Sequence, residues 1–418
     1  MQKTPAQLLT ERKKRVLDTI KLNEPDRVPI SAASGFFAAR YAGFTCKEAM
    51  YDREKTIEAT LRYLQDFQPD LGENPFFLLF LGPMLDTIGY KNLMWAGGGL
   101  DDMSSYQFIE SEVMRRDEYD EFLFDPTDFV MRKVWPRVYT PLKGFEKLPP
   151  LHDVYDFITS ILKLVSFADS DVRASMEALI KTGTKIKERL DDSAVFVDKL
   201  NALGFPSITG ALSQAPFDYF SDFLRGTKGA FLDMLRVPDK VLAMVDKMYP
   251  IMFNLGLKAK ETGQPGVFMP LHKCLDDFMS PKQFQTFYWP SLKKLLEAFI
   301  AQDLIPIVLW EGNCESRLEI IGDIPAGKAV YYFEQTDLFK AKEVLGDVVC
   351  LQGGVPLTML CTGTPDDVTA HCKKLIKHVG KGGGYIMCPS TTLDDAKVEN
   401  VKAMFDTVKA YGASCKSR

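Results

Sequence analysis

One arrangement recurs through the last third of the chain: a short apolar run, a polar cluster at its end, then a stretch with helical spacing. Residues 266–272 run to His272 and Cys274. Residues 305–310 run to Glu311, Asn313 and Cys314. Residues 329–333 lead to Glu334 and Asp337, residues 348–351 to Gln352 and Gly353, and residues 385–387 to Cys388 and Thr391. Strands buried on both faces of a parallel sheet read as short apolar runs, and their alternation with helices implies repeated βα units. In such folds the chemistry gathers at the carboxyl ends of the strands. The repeat therefore predicts an α/β fold and an address for an active site.

The bulk numbers agree with one elaborated barrel spanning residues 1–418. Hydrophobic residues make up 46% of 418, enough for a large core. Basic and acidic residues number 51 and 56, a net charge of −5, with no dense Lys/Arg run, which excludes nucleic acid as the main partner. No apolar stretch approaches the ~18 residues of a membrane span. The amino terminus lacks the apolar core of a signal peptide, so a cytoplasmic location is expected. The eight cysteines (46, 274, 314, 350, 361, 372, 388 and 415) form no CxxC pair, and reduced thiols are the expectation.

Residues 6–21 read as an opening amphipathic helix and residues 28–31 as a first strand. Residues 85–150, rich in Gly, Pro and aromatic side chains, read as an irregular excursion that caps or flanks the site. Residues 157–190 are expected to be helical. Late helices are expected at 281–302, 338–345, 365–378 and 396–411. Ser280-Pro281 and Thr364-Pro365 supply a capping side chain before proline at the first helical position, and Asp395 is an acceptable cap.

Several segments together resemble the uroporphyrinogen decarboxylase superfamily. They are Asn23-Glu-Pro-Asp-Arg-Val-Pro29, Phe278-Met-Ser-Pro-Lys-Gln-Phe284, Tyr288-Trp-Pro290, Leu338-Phe-Lys-Ala-Lys-Glu-Val-Leu-Gly-Asp347, Gly363-Thr-Pro-Asp-Asp-Val368, Gly382-Gly-Gly-Tyr-Ile386 and Glu399-Asn-Val-Lys-Ala-Met404. The resemblance implies a (β/α)8 TIM-type barrel with an N-terminal helical extension. It also implies one of two activities. One branch decarboxylates the acetate arms of uroporphyrinogen without a cofactor. The other transfers methyl groups to or from a separate corrinoid (cobalamin) protein in anaerobic metabolism, with a zinc ion activating the thiol or methyl donor.

Two departures orient the choice. The segment after the first strand carries Arg40 as its only cation, whereas a substrate with eight carboxylates needs several fixed cations. The zinc-binding His-x-Cys-Gly of the methyltransferases is replaced here by Leu309-Trp-Glu-Gly312. The expectation is a methyltransferase acting between a small methylated ether, thioether or amine and a corrinoid partner. A decarboxylase of a porphyrinogen or smaller acid is the alternative, as is an inactive scaffold that binds a tetrapyrrole or a corrinoid protein.

His272 and Glu311 end successive strands and are the expected catalytic pair. A neutral His272 would bind metal; a protonated one would act as an acid. Joined by Cys388, or by Cys274, they would make an acceptable zinc site. Phe36, Arg40, Trp310, Asn313, Glu334, Gln352 and Tyr385 are the expected substrate contacts.

Overall fold

The computed structural model describes residues 3–31 and 33–411, so Cys415 lies outside the described residues. Six parallel strands form the main sheet, in the order of their sequence. They are β4 (Thr209–Leu212), β5 (Gly266–Leu271), β6 (Ile305–Trp310), β7 (Val330–Phe333), β8 (Cys350–Val355) and β9 (Tyr385–Pro389). Three shorter strands precede them in the excursion, where β1 (Leu93–Ala96) pairs with β2 (Gly99–Leu100) and β3 (Tyr106–Phe108).

Two short segments close the sheet into a ring. Ser31 donates its N–H to Met387 O at 3.0 Å, and Met387 donates to Pro29 O at 2.9 Å. Asp70 then donates to Ile30 O, and Gly72 to Pro206 O, each at 2.8 Å. Counting residues 28–31 and 69–73 with β4–β9 gives the eight staves of a (β/α)8 barrel.

Strand alternation sorts the side chains into layers. Ile208, Ile307, Val330, Cys350 and Ile386 meet inside the barrel, with Leu71, Phe268 and Ile305 beside them. Val16 and Ile20 of the N-terminal helix (Pro5–Ile20) join this cluster and seal the floor. Phase then directs Leu309, Tyr332, Gln352 and Cys388 inward one step higher, and His272, Glu311 and Glu334 inward at the rim.

Most expected helices are present: Pro5–Ile20, Leu338–Leu345 and Pro365–His378, with Ser280, Asp337 and Thr364 as the capping side chains. The last helix starts at Val398 rather than after Asp395. Residues 157–190 are not one helix. Residues Ile161–Ala168 form 3-10 turns, and a 33-residue helix then runs over Ser170–Ala202. Asp156 holds a separate turn by accepting the N–H groups of Ile158, Thr159 and Ser160, and the break falls at Asp169, whose extended backbone and carboxylate, accepting Asp171 N–H at 2.8 Å, start the long helix afresh.

Asp70 secures the junction between the first two staves and the floor. Its buried carboxylate accepts from Arg15 at 2.6 Å, from Arg27 at 2.7 and 2.8 Å, and from the N–H of Ile30 at 2.8 Å. Asp70→Ala leaves two mostly buried guanidinium groups short of a partner. The expected cost is roughly 3–5 kcal/mol, read as a lower denaturant midpoint at unchanged slope. A change within the ~0.5 kcal/mol of ordinary surface substitutions would contradict it.

Candidate active site

Two carboxylates directly after β4 build the site from behind. Asp218 lies in the helix Pro216–Phe220 and Asp222 in the π-helical turn Ser221–Arg225, four residues apart and so on one face. Both are buried. Asp218 accepts the backbone N–H groups of His272 and Lys273 at 2.9 and 3.1 Å, and the hydroxyl of Tyr288 at 2.6 Å. It thereby fixes how the chain leaves β5. Asp222 takes the imidazole itself, with His272 Nδ1 at 2.5 Å, and is 3.1 Å from Lys273 Nζ.

The other ring nitrogen faces the mouth. His272 Nε2 stands 3.6 Å from Glu311 Oε1. Burial by itself disfavours an imidazolium. The hydrogen bond to Asp222, with the charges of Asp218 and Glu311, outweighs it and lifts His272 from 6.5 to about 9. Burial also raises Asp218, and the neighbouring charge of Asp222 raises it further. Asp222 itself is lowered: burial pushes it up, but the hydrogen bond and charge of His272 and the charge of Lys273 prevail. Glu311 is raised by burial, then by Glu334 and Asp222. The unit is thus an imidazolium oriented by one carboxylate and facing a second, weaker one. It can hold a proton at Nε2 and deliver it to an atom bound between His272 and Glu311.

Across the mouth stands a carboxylate that the sequence reading left unassigned. Glu73, at the end of the second stave, accepts the N–H of Ser34 at 2.8 Å, and burial lifts it to about 7. The adjacent turn carries Gly35 at φ +53°, where a Cβ would sit 2.3 Å from Asp394 Oδ1. Asp394 in turn accepts from Phe36 N at 2.7 Å. Tyr106 of the small sheet lies within electrostatic reach of both Asp394 and Glu311, and after burial these charges raise its phenol. The excursion therefore does border the mouth.

The structure brings His272 and Glu311 together and puts Glu334 beside them, where it accepts Gly312 N–H at 2.7 Å. Gln352 is half-buried and close enough to hydrogen-bond the thiol of Cys388. The other expected residues differ in placement. Trp310 is fully buried in the outer layer against Tyr331 and Phe333, because strand phase turns it away when Glu311 faces in. Tyr385 faces outward for the same reason and donates to Gly353 O at 3.0 Å. Phe36 is enclosed with Cys46, Leu79 and Trp95. Asn313 spends its side-chain oxygen on Glu315 N–H. Arg40 pairs with Asp395 and donates to Met103 O at 2.7 Å.

The expected zinc ligands do not converge. Cys388 lies beside Ser31, at 3.7 Å, and Tyr332, apart from the His272 pair. Cys274 is buried 4.0 Å from Cys314 with its thiol pushed well up, first by burial. Asp222 occupies Nδ1 of His272, which leaves Nε2 alone facing the mouth. Among the described residues, no three His, Cys, Asp or Glu side chains form a group that could hold a metal ion. This donor set does not fit zinc.

With the geometry established, comparison with known proteins assigns the family. The profile of the uroporphyrinogen decarboxylase (URO-D) family matches residues 180–411, more than half of the chain, and the protein belongs to that family. A uroporphyrinogen decarboxylase from Chlorobium luteolum is 29% identical over 140 residues, covering 32% of this chain and 39% of that protein. One from Pelodictyon phaeoclathratiforme is 26% identical over 185 residues, covering 43% and 52%. The chain thus spans about two fifths to one half of the length of these curated relatives. A solved structure of a methyltransferase from Methanosarcina mazei shares the fold, with a TM-score of 0.63 and 16% identity over 96% of this chain and 98% of that one. Among the described residues, no helix is long and apolar enough to cross a membrane.

The raised His272 carries a definite sign. Because its folded-state value exceeds the ordinary 6.5, its pairing stabilises the fold fully below that value and is lost as pH rises through about 9. An NMR titration is expected to find the ring protonated through neutrality, and Asp222→Asn should bring the midpoint back toward the ordinary value. A wild-type midpoint at or below 6.5 would refute the assignment.

Proposed function

We propose that this protein is a corrinoid-linked methyltransferase, moving a methyl group between a small methylated ether, thioether or amine and a separate corrinoid protein. The observation that carries the reading is the His272 imidazolium, held at Nδ1 by Asp222 and presented at Nε2 toward the mouth. A methyl ether or thioether is a poor electrophile because its heteroatom leaves as a strong base. Protonation of that atom as the carbon–heteroatom bond breaks removes the difficulty. The heteroatom keeps the bonding electron pair and takes the proton from His272 Nε2. A donor near 9 is well matched to a phenolic leaving oxygen, whose ordinary value is about 10. The corrinoid is a co-substrate that accepts or supplies the methyl group. Glu311 and Glu334 fix the orientation of the bound compound.

The charge around the mouth supports this substrate class over a polycarboxylate. Glu73, Glu311, Glu334 and Asp394 stand near the strand ends, where burial first, and then the charges of Asp394 and Glu334, raise Glu73 and Glu311 respectively. The nearby cations are already engaged, Lys273 by Asp222 and Arg40 by Asp395. A polyanion would meet repulsion from these carboxylates, with His272, itself held by Asp222, as the cation that faces the mouth. The same acidic surroundings favour a neutral or cationic methyl compound. The protein from Methanosarcina mazei that shares the fold is itself a methyltransferase.

The test is purified protein with a reduced corrinoid protein and a panel of methylated compounds, followed by the corrinoid absorbance. His272→Ala is expected to lower turnover by about 10²–10⁴-fold. The loss should shrink as the leaving group becomes less basic. An unchanged absorbance across the panel, or stepwise loss of carboxyl groups from uroporphyrinogen, would overturn the reading. Stoichiometric zinc in the wild type that is lost in His272→Ala would replace the proton-donor mechanism with a metal-assisted one.

A further inference from the structure

The small sheet β1–β3 turns an aromatic face toward the barrel. Tyr106 pairs directly opposite Trp95, and Phe108 opposite Leu93, so all four side chains leave the sheet on one side. Trp95 shows which side that is, because its ring is buried in the body with Phe36 and Leu79. Tyr106 and Phe108 look the same way yet stay 44% and 37% exposed, since the space in front of them is the open mouth. Tyr106 lies within electrostatic reach of Glu311 and Asp394, and its hydroxyl makes no hydrogen bond among the described residues. Phe108 meets the ring of Phe223 edge-on at 6.3 Å, one residue after the Asp222 that holds His272. The two rings thus reach both partners of the imidazole, Glu311 at Nε2 and Asp222 at Nδ1.

This aromatic roof is fixed at both ends of β3. Met103 O accepts from Arg40 at 2.7 Å, and the N–H of Lys47 donates to Asp102 O at 3.1 Å. Beyond the strand, Ile109 donates to Asn92 O at 2.8 Å. The Glu110 carboxylate accepts the N–H of Thr227, which opens the helix Thr227–Arg236. A surface held in this way before a ligand arrives loses little freedom when one binds.

We propose that the slot between this roof and His272 seats a planar aromatic ring, so that the methylated compound is an aryl methyl ether and Tyr106 and Phe108 determine specificity. The inference rests on the methyltransferase reading and narrows its substrate class. Aromatic rings pair offset-stacked or edge-on with centroids ~4.5–7 Å apart, a contact that a saturated ring of equal size does not reproduce. His272 selects within the class. Its Nε2–H needs a lone pair on the leaving atom, which an ether oxygen has and a quaternary nitrogen lacks. As the methyl–oxygen bond breaks, the oxygen keeps the electron pair, takes the Nε2 proton and leaves as a phenol. The methyl group passes to the reduced corrinoid co-substrate.

Binding is measured first, without corrinoid, by titration calorimetry with anisole, its saturated counterpart cyclohexyl methyl ether, and tetramethylammonium. The wild type is expected to bind anisole about 10-fold more tightly than either of the others. Tyr106→Ala should lose that preference and Tyr106→Phe should keep it. In turnover, Tyr106→Ala should raise KM for anisole and leave kcat nearly unchanged. Where Tyr106→Ala alters the circular dichroism, Phe108→Ala should still narrow the preference. Equal binding of anisole and cyclohexyl methyl ether by the wild type, or an undiminished preference in Tyr106→Ala, would overturn the proposal. Tighter binding of tetramethylammonium would overturn it in favour of a cationic methyl donor. Methyl transfer from aliphatic donors with no preference for anisole would remove the aryl slot and leave the methyltransferase reading. An aryl preference in binding with no methyl transfer would do the reverse.

Discussion

A single buried carboxylate holds the barrel shut where its backbone pairing is thinnest. The first stave contributes one parallel bridge to β9, at Ile30 and Met387, and the second stave is joined by single hydrogen bonds on either side. At that seam Asp70 gathers Arg15 from the floor helix, Arg27 from the approach to the first stave and the N–H of Ile30. Buried ion pairs do not guarantee stability, because both charges lose water. Here the cost is offset by multiple charge-assisted hydrogen bonds in good geometry. Three residues on, Glu73 is held at the mouth by the same register. The closure of the ring and the position of a site carboxylate are therefore one problem.

One and two staves further round the barrel the logic is proton placement. Asp218 and Asp222 share a helical face, but one binds the backbone around His272 and the other binds its ring. This division separates position from charge. Removal of the Asp222 carboxylate perturbs protonation more than path, whereas removal of Asp218 perturbs the path. Orientation of an imidazole by a buried carboxylate is a general means of fixing its tautomer and strengthening its cation.

Much of this was legible in the sequence for a simple reason: buried parallel strands and capped helices leave local signatures. The runs that became β5 and β6 and the caps Ser280 and Thr364 are local, and they hold. The address of His272 and Glu311 was legible because strand ends are. Side-chain phase was harder. Trp310 and Glu311 are neighbours in sequence but point to opposite faces, and a run of unbroken apolar character does not reveal which residue faces in. Asp218, Asp222 and Glu73 were missed because their partners lie 39 to 70 residues away. Only the four-residue spacing of the two aspartates after a short strand offered a hint.

The floor sealed by Val16 and Ile20 has a kinetic consequence. A barrel closed at its base has one doorway, and everything that reacts at His272 must use it. Any compound that reaches His272 therefore enters and leaves past the strand ends, a path imposed by a pair of aliphatic side chains at the far end of the barrel from the imidazole.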